Sequence, residues 1–351
     1  MAKTGAHSRI VLALVWLLVG AAMVAVPVWL GWTRWQPILT GNPAMMVLSI
    51  ACGLLGFVAL AWAVATLVIG DRVEQGEAAQ TRTERQRIRR ANRRVVLAVP
   101  ALFLCVLTVG LLAWARPFAA TQTALTAMRS ADDIRVSDRI TWYEMTSVAK
   151  NADEQVVKPT VGIVFIPGAR VDPRAYARVL RPLAQAGYLV TVLKEPFGIA
   201  FLQQNHAGTV IKLHPEITTW VVAGHSLGGV VAATYADDHA AVGTAKVAGL
   251  ALYASYPAAK LSRSDLKVTS ISGDLDGLST PTKVADSRAD LPANSRFVVV
   301  PGAVHSFFGD YGPQPGDGVP TADRVAAQAQ VTKATADLLA SVTPKPKPKK
   351  K

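Results

Sequence analysis

Cysteine is nearly absent from this chain. There are only two, Cys52 and Cys105, in 351 residues. Both sit inside apolar runs, so no disulfide framework staples the polar part and cysteine usage fixes no redox compartment. No cluster of Cys and His falls at metal-ligand spacing, and the sequence calls for no metal or other cofactor. Charge is missing from three stretches, 10–32, 44–70 and 95–115, which hold no Asp, Glu, Lys or Arg. A solvated surface element is excluded there. Each stretch supplies the ~20 residues that cross a bilayer as a helix, and hydrocarbon demands that every backbone polar group find an internal partner.

The rest of the composition agrees. Hydrophobic residues make up 51% of the chain, high for a soluble enzyme. Trp29, Trp32, Trp35 and Trp114 lie at the ends of the runs, as an interfacial belt requires. The first run is longer than the apolar core of a cleaved signal peptide, and two more follow, so it is expected to stay as a span. The net charge of +13 invites a nucleic-acid partner, but its distribution argues against one. Residues 117–342 contain 20 Lys+Arg and 20 Asp+Glu, a net of zero. The excess lies beside the apolar runs and in the Lys-rich end, where it reports topology. Lys3 and Arg9 precede the first run, Arg34 alone lies between the first and second, and eight Arg from Arg72 to Arg94 lie between the second and third. The positive-inside rule therefore places the N-terminus in the cytoplasm and everything after Arg116 on the other side of the membrane.

The expected organisation is a membrane region over 1–116, a linker over 117–137, a globular domain over 138–342 and a disordered Lys/Pro tail over 343–351. Within the globular part, apolar runs alternate with helical patterns. Strands are expected at 139–148 (an edge strand), 161–166 and 188–194, in the short apolar run before Gly224, and at 247–254, 266–272 and 296–300. Helices are expected at 173–187, after Ser226, at 281–291 and at 321–341, with 197–213 ambiguous. Such alternation implies a mostly parallel sheet with helices on both faces. The short interval between 254 and 266 leaves no room for a large helical cap.

The most informative stretch is Gly224-His225-Ser226-Leu227-Gly228-Gly229. An apolar run precedes it and an Ala/Val-rich run with helical spacing follows. G-x-S-x-G at a strand-to-helix junction is the nucleophile-elbow pattern. Its serine takes a strained backbone, so Gly224 and Gly228 must lack a Cβ. A serine nucleophile needs a base, and the base needs an orienting acid. Beyond the elbow only His239 and His305 remain. His239 falls at the far end of the following helix, whereas His305 follows a strand's carboxyl end, where open sheets of this kind place their sites. Asp274 and Asp276 both follow the strand at 266–272. The longer reach favours Asp276, and Asp274 stands as the alternative. An oxyanion would take one backbone N–H from Leu227 and a second from the loop Gly168-Ala169-Arg170.

These residues, with Gly273-x-x-Asp276 and His305 in that order, resemble the α/β-hydrolase superfamily. The stretches Pro167-Gly168-Ala169-Arg170-Val171-Asp172-Pro173-Arg174-Ala175-Tyr176 and His305 to Gly318 are similar to those of bacterial membrane-tethered α/β-hydrolase-domain proteins. The resemblance covers about 160–339. It implies Ser226 as nucleophile, Asp276 as acid, His305 as base, and Ala169 with Leu227 as oxyanion amides. Ala169 departs from the pattern, where a second glycine is usual.

The function expected is that of a membrane-anchored serine hydrolase acting on a small-molecule or lipid ester through an acyl-enzyme, with the lipid bilayer as a partner and no nucleic acid. A peptidase, an acyltransferase on the same site, and a non-catalytic membrane scaffold are the alternatives. Protease added outside intact spheroplasts should digest the globular domain; protection of that domain would reverse the assigned orientation.

Overall fold

The computed structural model describes residues 2–78, 84–151 and 154–344. The tail beyond residue 344 lies outside the described residues, so the disorder expected there is neither met nor opposed, and so does Arg82 of the Arg-rich segment. The chain divides into two compact units, one of Met1–Ile38 with Ala44–Arg116 and the other of Leu39–Pro43 with Pro117–Lys351.

The first unit holds three long helices: α1 (Ala2–Thr40), α2 (Pro43–Ala78) and α3 (Glu84–Trp114). Their apolar segments, Arg9–Thr40, Pro43–Val68 and Val96–Trp114, are long and apolar enough to cross a membrane. α1 continues past the expected end of its apolar run and bends at Arg34, whose φ of −142° leaves the helical region. Pro37 sits one turn on, and its ring and missing N–H account for the break. α2 and α3 extend beyond the apolar runs into the Arg-rich segment between them, because Arg, Gln and Glu are good helix formers once outside hydrocarbon. α1 and α2 cross at Gly20 and Gly56, where a Cβ on Gly56 would lie 2.8 Å from the Met23 Cβ. Small residues allow that approach of two backbones.

The second unit is built on a nine-stranded sheet. Its strands are β1 (Ile134–Asp138), β2 (Trp142–Ser147), β3 (Val161–Ile166), β4 (Leu189–Leu193), β5 (Thr219–His225), β6 (Ala241–Val242), β7 (Ala245–Tyr253), β8 (Lys267–Gly273) and β9 (Arg296–Val300). The order is β1-β2-β4-β3-β5-β7-β8-β9, with β6 pairing β7. β1, β2 and β4 pair antiparallel, and β4 through β9 along the main path are parallel. The helices are α4 (Gln122–Ala127), α5 (Ala177–Gln185), α6 (His206–Leu213), α7 (Leu227–Asp238), α8 (Pro281–Asp286) and α9 (Arg324–Val342). No helix stands between β7 and β8, so no helical cap is inserted there.

The central strands are buried on both faces, which is why their sequences are continuous apolar runs. Ile163 and Phe165 of β3, with Val221 and Ala223 of β5, join one core with α5 and α9. Val164 and Ile166, with Trp220 and Val222, join the other with α6 and α7. The chain leaves β3 toward β4 on one side and returns to β5 on the other. Open α/β sheets place their sites at such a reversal, beyond the strands' carboxyl ends.

Two expectations change. The strand at 139–148 is interior, not an edge, because β1 covers it. The expected linker at 117–137 is docked onto the domain. Phe118 bridges to Val171 and Ala120 to Tyr311, and α4 and β1 follow. Docking by backbone bridges leaves no side-chain periodicity to read.

Candidate active site

Ser226 joins β5 to α7 with φ 51° and ψ −126°. Among L-residues this conformation is strained and persists only when its surroundings over-determine it. Here they do. The Ser226 amide donates to the Tyr253 carbonyl at 2.9 Å. Its carbonyl accepts from the amides of Gly229 and Val230 and from the Ser255 hydroxyl at 2.7 Å. A Cβ on Gly224 would collide with the Gly228 carbonyl, and one on Gly228 with the carbonyl oxygens of Ile166 and Pro167. The elbow is thus wedged against the end of β3, and Ser226 itself stays half-buried.

The loop after β3 lies beside this turn. Its conformation is also forced: Arg170 has a φ of 63°, and its amide donates to the Gly198 carbonyl at 2.8 Å. Phe118 clamps the loop from outside, donating to the Arg170 carbonyl at 2.7 Å and accepting from the Asp172 amide at 2.9 Å. Among the described residues the amides of Ala169 and Leu227 have no acceptor. Leu227 opens α7, where the helix dipole adds to the pull on negative charge. The alanine that replaces the usual glycine keeps its N–H.

His305 follows β9 and is fully buried. Its Nδ1 lies 2.8 Å from Asp276 Oδ2, and both side chains are shielded from solvent. The other Asp276 oxygen accepts the amides of Leu278 and Ser279, each at 2.8 Å, so the carboxylate is held as an acceptor. Asp274 instead accepts the Gly302 amide at 2.6 Å. His305 Nε2 is buried and has no partner among the described residues, and no hydrogen bond joins it to the Ser226 hydroxyl. In enzymes with this geometry that contact often tightens only when substrate binds. His239, at the far end of α7, bonds its own helix at the Tyr235 carbonyl.

Several supporting residues escaped sequence analysis. Asp317 accepts the amides of His305 and Ser306, each at 2.9 Å. Arg178 pairs with buried Asp310, and one Arg324 nitrogen reaches the carbonyls of Ser306, Gly309 and Tyr311. The segment 305–311 is therefore fixed from three sides. Asp317 lies inside the stretch that carries the family resemblance, but no spacing marks it as a backbone clamp.

The model of the alpha/beta hydrolase family matches residues 162–330, from β3 into α9. The chain carries an α/β-hydrolase domain. No curated protein matches the chain. Among solved structures, the domain is similar to a thermostable esterase from Pseudomonas putida ECU1011, at 14% identity over 64% of this chain and 88% of that one, with a TM-score of 0.44. It is also similar to an α-β serine hydrolase homologue from Coxiella burnetii, at 14% identity over 61% of this chain and 99% of that one, with a TM-score of 0.39.

Inside the hydrolase domain, His225 is fully buried beside the elbow. Burial, and after it the neighbouring His305 imidazole, hold its pKa well below the usual 6.5. The unfolded chain therefore binds the proton more readily than the folded one. The sign follows: this contribution to stability is complete above pH 6.5 and shrinks as the pH falls below it. The urea midpoint should drop between pH 6.5 and about 5, and His225→Gln should flatten the difference profile. Parallel profiles for the two proteins would refute a buried neutral His225.

Proposed function

We propose that the chain is a membrane-anchored serine hydrolase, with carboxylic esters as its substrates. The observation that carries this reading is the strained serine at the helix N-terminus beside two backbone amides without acceptors. Such an arrangement receives an oxyanion and costs no reorganisation when the charge develops.

The Ser226 oxygen attacks the ester carbonyl carbon as His305 Nε2 takes the hydroxyl proton. The carbonyl oxygen becomes the oxyanion and accepts the N–H groups of Ala169 and Leu227. Collapse expels the alcohol, which leaves with the proton from His305, and the acyl group stays on Ser226. Water then attacks the acyl carbon while His305 takes its proton, and collapse returns that proton to Ser226 and frees the acid. Asp276 holds the imidazole in the tautomer with hydrogen on Nδ1 and stabilises the imidazolium. Three apolar helices before the domain would anchor it, with the positive-inside charge placing the site outside the cytoplasm.

The test is labelling of the full chain by a fluorophosphonate probe. Wild type should label, Ser226→Ala should not, and ester turnover by the variant should fall by roughly 10⁶-fold. Labelling that persists in Ser226→Ala would place the nucleophile elsewhere.

A further inference from the structure

Two buried side chains that the proposed mechanism does not use, Tyr176 and His225, connect its two halves. The Gly168 amide donates to the Tyr176 oxygen at 2.9 Å. That hydroxyl lies 2.9 Å from His225 Nδ1, and His225 Nε2 lies 3.2 Å from the main-chain carbonyl of His305. The donors and acceptors can be ordered in one way only. A carbonyl cannot donate, so His225 carries its hydrogen on Nε2. Nδ1 is then an acceptor, so Tyr176 donates to it, and the tyrosine oxygen accepts the Gly168 amide. The result is an unbranched run of three hydrogen bonds with a fixed direction, closed to water at every link: both side chains are fully buried.

Its ends matter. Gly168 immediately precedes Ala169, whose amide faces the proposed oxyanion, and the His305 carbonyl belongs to the proposed base. The His225 and His305 rings are 4.6 Å apart between centroids, and Phe308 and Tyr311 close over the same ring. His225 also sits next to Ser226 in the chain, so any tilt of its ring is felt at the elbow.

We propose that Tyr176 and His225 are positioning residues that hold the Ala169 amide and the His305 ring in mutual register for acyl transfer. This rests on the hydrolase reading above. Neither residue touches substrate; each acts through the loop or ring it holds.

The experiment measures ester turnover by the full-length protein, normalised to active sites titrated with a fluorophosphonate. Tyr176→Phe removes one hydroxyl and should lower kcat about 10- to 100-fold while KM changes less than about twofold. His225→Phe should behave alike. His225→Gln, which keeps a donor for the His305 carbonyl, should recover most of the loss. A purely structural role would lower the number of titrated sites and leave kcat per site unchanged, and that result overturns the proposal. If Tyr176→Phe yields no folded protein, His225→Gln against His225→Phe decides, and equal kcat per site in both overturns it. Failure of wild type to label would instead remove the hydrolase reading, and this inference with it.

Discussion

Ser226 holds a backbone conformation that L-amino acids avoid, and the domain keeps it there by crowding. Strand β5 ends one residue earlier, α7 begins one residue later, and the two glycines leave no room for any other path. The strain costs of order 1–3 kcal/mol, and it is offset by the core on both faces of β3 and β5. The hydroxyl is thereby presented at the sheet's carboxyl edge, and the first amide of α7 is left without an acceptor. A relaxed turn would give neither.

Everything else near the site serves to fix positions relative to that turn. The loop after β3 is held by Gly198 and Phe118, and its own Asp172 carboxylate accepts the Ala120 amide. The His305 segment is held by Asp317, Arg178 with Asp310, and Arg324. The clamps on the His305 segment all use charged groups, whose hydrogen bonds are stronger than neutral ones. They fix a half-buried serine and a fully buried imidazole in place, and the proposed acyl transfer needs fixed distances more than mobility. The segment after Arg116 belongs to this scaffold, since Phe118 and Thr121 bond to the loops on either side of the site.

How much of this could be read from sequence depends on what each element demands of its side chains. β3 and β5 are buried on both faces, so their residues had to be apolar and the runs were plain. The elbow had to carry glycine at two fixed places, so it was plain too. β1 is largely open to solvent, with only Ile134 buried, and its polar sequence gave no sign of a strand. Phe118 acts through its backbone, which no residue type records. Reach along the sequence favours Asp276 over Asp274 without deciding between them, and the fold turns Asp276 toward His305 and Asp274 toward Gly302. Tyr176 and His225 were visible as residues inside the motifs, but their hydrogen bonds join positions 49 and 80 residues apart.

The structure of the full chain inhibited by a phosphonate ester tests the central claim most directly. Phosphorus should be bonded to the Ser226 oxygen, one phosphonyl oxygen should lie about 2.7–3.1 Å from the amides of both Ala169 and Leu227, and His305 Nε2 should turn to the leaving-group side. An adduct on another residue, or a phosphonyl oxygen directed away from both amides, would contradict it.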